Sequence, residues 1–176
     1  MAIANLQRFG CERNLEQAIE AYVFTKVGVQ DNSNAMRDIF KQMDADGNGQ
    51  LSKEELDNGI KKIMGVDAFC KDDLDRIFDK MDPNKDGEIS YEEFLAEADG
   101  FCMLLSDARM HTAFLLIDQD EDGKVTLQEV EMVLSGGIKK IGQKEWQTLL
   151  DKFDKNSDGM IDFEEFKIMM IHAYAM

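Results

Sequence analysis

Four times the chain repeats a twelve-residue pattern: Asp at the first place, Asp or Asn at the third and fifth, Gly at the sixth, Glu at the twelfth. The copies are Asp44–Glu55 (DADGNGQLSKEE), Asp82–Glu93 (DPNKDGEISYEE), Asp118–Glu129 (DQDEDGKVTLQE) and Asp154–Glu165 (DKNSDGMIDFEE). Their first residues lie 38, 36 and 36 positions apart. One acidic turn with a glycine is ordinarily a solvated surface turn. Recurrence at a nearly constant interval marks a repeat architecture instead. Any fold for this chain must place one loop four times in equivalent surroundings.

The residue types at those places are oxygen donors. A hard cation such as Ca²⁺ takes six to eight oxygens at about 2.3–2.6 Å, and a loop with donors at places 1, 3, 5, 7, 9 and 12 wraps around one ion. In the first loop the candidate ligands are Asp44, Asp46, Asn48, Ser52 and Glu55, with the carbonyl of Gln50. In the second they are Asp82, Asn84, Asp86, Ser90 and Glu93, with the carbonyl of Glu88. The third offers Asp118, Asp120, Asp122, Thr126 and Glu129, with the carbonyl of Lys124. The fourth offers Asp154, Asn156, Asp158, Asp162 and Glu165, with the carbonyl of Met160. Four Ca²⁺ ions are expected. The last two loops carry four side-chain acids each against three in the first two, so the C-terminal pair is expected to fill first.

Place 6 is glycine because the turn there demands φ > 0. Place 8 is apolar in every copy, which fits a short strand facing away from the ion. Leu51 is expected to pair with Ile89, and Val125 with Ile161. Apolar residues at helical spacing flank each loop. Met36, Ile39, Phe40 and Met43 precede the first, and Leu56, Ile60, Ile63 and Met64 follow it, with Gly65 as a stop. Leu74, Ile77, Phe78 and Met81 enter the second loop, and Phe94 and Leu95 leave it. Ser106 is a candidate cap for the helix of Met110, Ala113, Phe114 and Ile117. Glu129–Leu134 leaves the third loop and stops at Gly136 and Gly137. Trp146, Leu149, Leu150 and Phe153 enter the fourth loop, and Phe163, Phe166, Ile168, Met169 and Met170 lie within or after it. Ahead of the repeats, Leu15, Ala18, Ile19, Tyr22 and Val23 form one apolar stripe, with Asn14 and Gly28 as candidate ends. That helix either packs on the chain's own core or occupies a groove meant for a target.

The chain has 20 basic and 36 acidic residues, a net charge of −16, which argues against nucleic acid and anionic membranes as partners. Disorder does not explain the charge, because 44% of the residues are hydrophobic and eleven are Phe. Four dications would halve the excess. Cys11, Cys70 and Cys102 show no CxxC spacing and fit reduced thiols in a cytoplasmic setting. No apolar run is long enough to span a membrane, the N-terminus lacks a secretory signal, and Ala2 stands where myristoylation needs glycine. His111 and His172 read as surface or packing residues, Trp146 as core, and the methionines as core or as a plastic groove.

Over residues 33–176 the sequence resembles the calmodulin superfamily of four-EF-hand proteins. Its N-terminus resembles the junction of calcium-dependent protein kinases, in which N-L-x-x-F and L-x-x-A stretches join a kinase to a calmodulin-like regulatory domain. The matching positions are Asn5, Leu6, Phe9, Leu15 and Ala18; Glu16 and Gln17 depart, since basic residues are expected there. Within the chain there is no glycine-rich phosphate loop, H-R-D or D-F-G.

The expectation is an all-α protein with a helical extension at 1–32 and two lobes of paired hands at 33–104 and 105–176. Its function is that of a non-catalytic Ca²⁺ sensor. Its lobes open apolar grooves for an amphipathic helix of a target protein, or for its own N-terminal helix in cis. Rival expectations are the regulatory domain of a calcium-dependent protein kinase, a Ca²⁺ buffer, and a photoprotein-like luciferin binder.

Overall fold

A computed structural model describes residues 15–27, 33–65, 71–97, 104–135 and 141–176. The expected Asn5–Phe9 match, the caps at Asn14 and Gly28, the stop at Gly136 and Gly137 and the three cysteines lie outside these. The fold is all-α, with two minimal sheets among the described residues. Helix α1 is Leu15–Val27. The first repeat is α2 (Ser33–Met43), β1 (Gln50–Leu51) and α3 (Lys53–Met64). The second is α4 (Lys71–Met81), β2 (Ile89–Ser90) and α5 (Tyr91–Ala96). The third is α6 (Asp107–Leu115), β3 (Lys124–Val125) and α7 (Leu127–Ser135). The fourth is α8 (Gln143–Phe153), β4 (Ile161–Asp162) and α9 (Phe163–Ala175).

The strands pair antiparallel in the expected register, Leu51 opposite Ile89 and Val125 opposite Ile161. Four positions of the repeat build the core. The residue four before each loop (Phe40, Phe78, Phe114, Leu150), the one just before it, the place-8 residue, and the one after the final Glu (Leu56, Phe94, Val130, Phe166) are all buried. Edge-to-face ring pairs repeat with them, Phe40 on Phe94 at 5.3 Å and Phe114 on Phe166 at 5.4 Å. Met64, Met169 and Met170 are core, whereas Met132 is exposed.

Helix α3 ends as expected: Gly65 has φ 66° and its N–H bonds to the Lys61 carbonyl at 3.0 Å. Ser106 stands at the N-cap of α6, but its hydroxyl makes no capping bond, and Leu104 and Leu105 just before it are helical and buried. Gly142 precedes α8, and the Glu145 carboxylate accepts its N–H at 2.7 Å.

Helix α1 packs against α6, α7, α8 and α9, that is, against all four helices of the C-terminal pair. Its buried line is Glu16, Ile19 and Val23, with Leu15, Ala18 and Tyr22 at the margins, so the seated face is turned slightly from the expected stripe. The turn admits Glu16 to the interior because Lys152 of α8 meets it at 2.8 Å.

The two pairs also touch through α9, which packs on α4. Lys167 is buried and donates to the Met64 carbonyl at the end of α3 at 2.8 Å. His172 Nδ1 sits 2.9 Å from the buried Asp73 carboxylate. The Lys80 ammonium lies 3.9 Å from the centre of the Tyr174 ring, and the Tyr174 hydroxyl donates to Glu97 at 3.4 Å. Burial, then the Glu97 charge, raises the Tyr174 phenol well above its ordinary pKa. Of the two readings open for it, His172 is thus a packing residue, in the contact between the pairs. Among the described residues no helix is long and apolar enough to cross a membrane.

Candidate metal centre

The loops share one backbone path. Place 6 is left-handed in each, at Gly49 (φ 84°), Gly87 (89°), Gly123 (84°) and Gly159 (82°). Place 4 is left-handed too, at Gly47 (φ 72°), Lys85 (58°), Glu121 (58°) and Ser157 (59°). Only the sixth place was legible in residue type, since three of the four residues at place 4 carry a Cβ.

That path turns the loop amides inward, where they hold the acids. The place-6 N–H donates to the place-1 carboxylate at 3.0 Å in Asp44, Asp82 and Asp118, and at 2.9 Å in Asp154. The place-5 N–H donates to the place-3 side chain (Asp46, Asn84, Asp120, Asn156) at 2.8–3.2 Å. The place-7 N–H of Gln50, Glu88, Lys124 and Met160 donates to the place-5 side chain (Asn48, Asp86, Asp122, Asp158) at 2.7–3.0 Å. Each of these side chains is oriented by amides of its own loop.

Places 9 and 12 form a second device. Ser52, Ser90, Thr126 and Asp162 stand just ahead of the exit helix, and each N–H donates to the place-12 carboxylate (Glu55, Glu93, Glu129, Glu165) at 2.8–3.0 Å. The Glu N–H returns a bond to the place-9 side chain, which closes a capping box. The S/T/D-x-x-E spacing that signals such a box overlaps the ligand pattern. The other Glu oxygen accepts the place-2 N–H, from Ala45 at 3.0 Å, Gln119 at 2.9 Å and Lys155 at 2.8 Å. In the second loop place 2 is Pro83, which has no N–H to give.

These bonds set the acidity of the closing residues. Glu55 is held below the ordinary glutamate range, chiefly by the Ser52 amide, against the opposing effect of burial. For Glu129 burial pushes upward most, but the bonds from Thr126, Gln119 and Asp120 together outweigh it and its pKa is also lowered.

The loops differ in how their acids gather. Carboxylate oxygens of Asp44, Asp46 and Glu55 lie within 4.8 Å of one another, as do those of Asp118, Asp120 and Glu129. Loops two and four carry Asn at place 3. In the second loop Asp82 is buried and its Oδ1 has no hydrogen-bond partner, an orphaned buried oxygen that a cation satisfies. In the fourth, Asp158 is drawn to the Lys124 ammonium of the third loop at 2.6 Å. That hydrogen bond lowers the pKa of Asp158 and raises that of Lys124. An oxygen-only donor set with convergent carboxylates fits a hard divalent cation of the Ca²⁺ type.

The family model for an EF-hand domain pair matches residues 33–98 and again 107–171. Calcium-dependent protein kinase 4 of Plasmodium falciparum is 34% identical over 128 residues, covering 68% of this chain and 24% of the kinase. Guanylyl cyclase-activating protein 1 of Lithobates pipiens is 34% identical over 102 residues, 46% of this chain and 49% of that protein. A solved structure of a redox protein from Chlamydomonas reinhardtii superposes with a TM-score of 0.51 at 26% identity, over 84% of this chain and 52% of its own. The chain spans about a quarter of the length of the Plasmodium kinases it matches. With four loops of one geometry in two antiparallel pairs, and the family model matching both pairs, the chain belongs to the EF-hand family of calcium-binding proteins.

Proposed function

We propose that the chain is a four-site Ca²⁺ sensor whose C-terminal lobe holds the chain's own N-terminal helix in the groove that a partner helix takes. The observation that carries this is the seat of α1 against α6, α7, α8 and α9. A helix laid by its apolar face across a whole pair of hands is the helix-in-groove mode of recognition. The units are the extension 1–32 and the lobes 33–104 and 105–176. The ligands are the side chains at places 1, 3, 5, 9 and 12 of each loop and the carbonyls of Gln50, Glu88, Lys124 and Met160.

Bound Ca²⁺ supplies a hard dication that neutralises the gathered carboxylates. The chain's own part is mechanical. Glu129 and Glu165 are the third residues of α7 and α9, so a shift of either carboxylate moves the start of an exit helix. Both exit helices touch α1, which couples loop geometry to the seat of that helix. The activity is binding, not catalysis.

Calorimetry is expected to show four Ca²⁺ per chain, with constants of about 10⁻⁷–10⁻⁵ M. Apolar-dye binding in Ca²⁺ is expected to rise when residues 1–30 are deleted. If neither the full chain nor the deleted form exposes apolar surface on Ca²⁺ addition, the protein is a buffer and the sensor reading falls.

The match to calcium-dependent protein kinases favours a second reading, that this is the regulatory part of a longer kinase. The full-length transcript decides: an upstream kinase domain in frame establishes it, and a stop codon removes it.

A further inference from the structure

The C-terminal lobe holds α1 through apolar contact and, at Glu16, through a charged contact. Ile19 and Val23 are buried, and Leu15, Tyr22 and Phe24 pack at the margins. Glu16, three residues ahead of Ile19, is only 3% exposed, and its Oε1 lies 2.8 Å from Lys152 Nζ. This runs against the overall charge. The chain is strongly acidic, and α1 itself carries Glu16 and Glu20 against Lys26. Long-range electrostatics alone favour a basic helix in this place.

The local geometry reverses that preference. A buried carboxylate is tolerated only opposite a cation, and leaving it unpaired costs far more than the pair returns. A basic residue at the same place meets the Lys152 ammonium as a like charge. A neutral residue costs less, because Lys152 keeps 39% of its side chain exposed and can turn to water. The order is acidic, then neutral, then basic.

We propose that the C-lobe groove selects its helix by charge, taking one with a carboxylate three residues ahead of its first buried apolar anchor, and that Lys152 is the residue that reads it. This rests on the seat of α1 given under Proposed function and names the chemistry of its occupant: an acidic amphipathic helix.

The test is amide hydrogen exchange of α1 in the full chain with Ca²⁺ present, with α2 and α3 as internal reference. Glu16→Lys and Lys152→Glu are each expected to speed exchange in α1 at least about tenfold. The double exchange E16K/K152E is expected to restore protection to within about threefold of the original. Should a charge reversal unfold the lobe, shown by rapid exchange throughout α8, the neutral variants carry the test. Lys152→Gln, which strands the buried carboxylate, must then loosen α1 more than Glu16→Gln does. A double variant no better protected than its parents, or equal effects of the two neutral variants, overturns selection by charge. If α1 of the unaltered protein exchanges as freely as an unstructured chain, the seat itself is wrong, and the function proposed above fails with it.

Discussion

Both oxygens of Glu55 and Glu129 are bonded to amides of their own loops, and this gives the fold a defined acid limit. Their lowered pKa values mean that the carboxylate forms are favoured by folding. Stability from this source is complete above the ordinary glutamate value of about 4.3, and it is lost as pH falls through the lower folded-state values. In chelator, the thermal midpoint is therefore expected to drop below about pH 4, and Glu55→Gln with Glu129→Gln to flatten that drop; identical pH profiles for parent and variants count against it. The Lys124–Asp158 pair makes a separate prediction. Lys124 belongs to the third loop, yet its ammonium pairs with Asp158, a proposed ligand of the fourth. Lys124→Gln should tighten Ca²⁺ binding at the fourth loop by about two- to fivefold, the range of an exposed pair. The Gly159 amide resonance reports this loop separately from Gly123, and a larger gain at the third loop contradicts the competition. Neither effect was legible beforehand. The loop pattern names candidate ligands in each loop, but the S/T/D-x-x-E box was absorbed into the ligand reading. A lysine counted only for its carbonyl gave no sign of where its side chain reaches.

Helices, strands and their pairing were legible because each follows from spacing within a few residues. The place-8 register and the apolar positions around each loop appear where periodicity put them. Terminal chemistry was less legible. Ser106 occupies a cap position without making the bond, and the exposed Glu145 holds the N–H of Gly142, a contact no cap residue announced. Gly59 carried no sequence signal at all. A Cβ there lies 2.4 Å from Met43 Cγ and 3.1 Å from its Cβ, so α2 and α3 approach only because this residue is glycine. Gly59→Ala gains about 1 kcal/mol of helix propensity but overpacks a buried side chain at about 1–3 kcal/mol, for a net loss. Chemical denaturation is the measurement, and a more stable variant shows that Met43 moves aside freely. At this scale too, Glu129→Gln and Glu165→Gln should suppress Ca²⁺-dependent dye binding in the form lacking residues 1–30. Exposed Glu54→Gln is the control, and equal dye binding in all three contradicts the coupling of loops to exit helices.

The joining of the two pairs was invisible to local pattern, because it is made by residues that meet from 77 to 103 positions apart. No spacing rule announces that Lys167 caps the end of α3 or that His172 faces Asp73. Lys167→Met leaves the Met64 carbonyl without its buried donor, at a cost of about 1–3 kcal/mol. Calorimetric melting without Ca²⁺ is expected to separate toward two transitions, one per pair; a single unchanged transition means that the pairs are not coupled through this contact. The seat of α1 bears on how the molecule meets other proteins. A helix carried on the same chain presents itself to its groove at an effective concentration, on the order of millimolar for short connections. If the bare groove holds α1 with a dissociation constant of about 1 μM, the tethered form is occupied roughly a thousand times out of a thousand and one. A free helix of equal intrinsic affinity then binds with an apparent constant of about 1 mM, so affinity for the groove alone does not secure a place in it. A successful partner must either grip far more tightly than α1 or first draw α1 away.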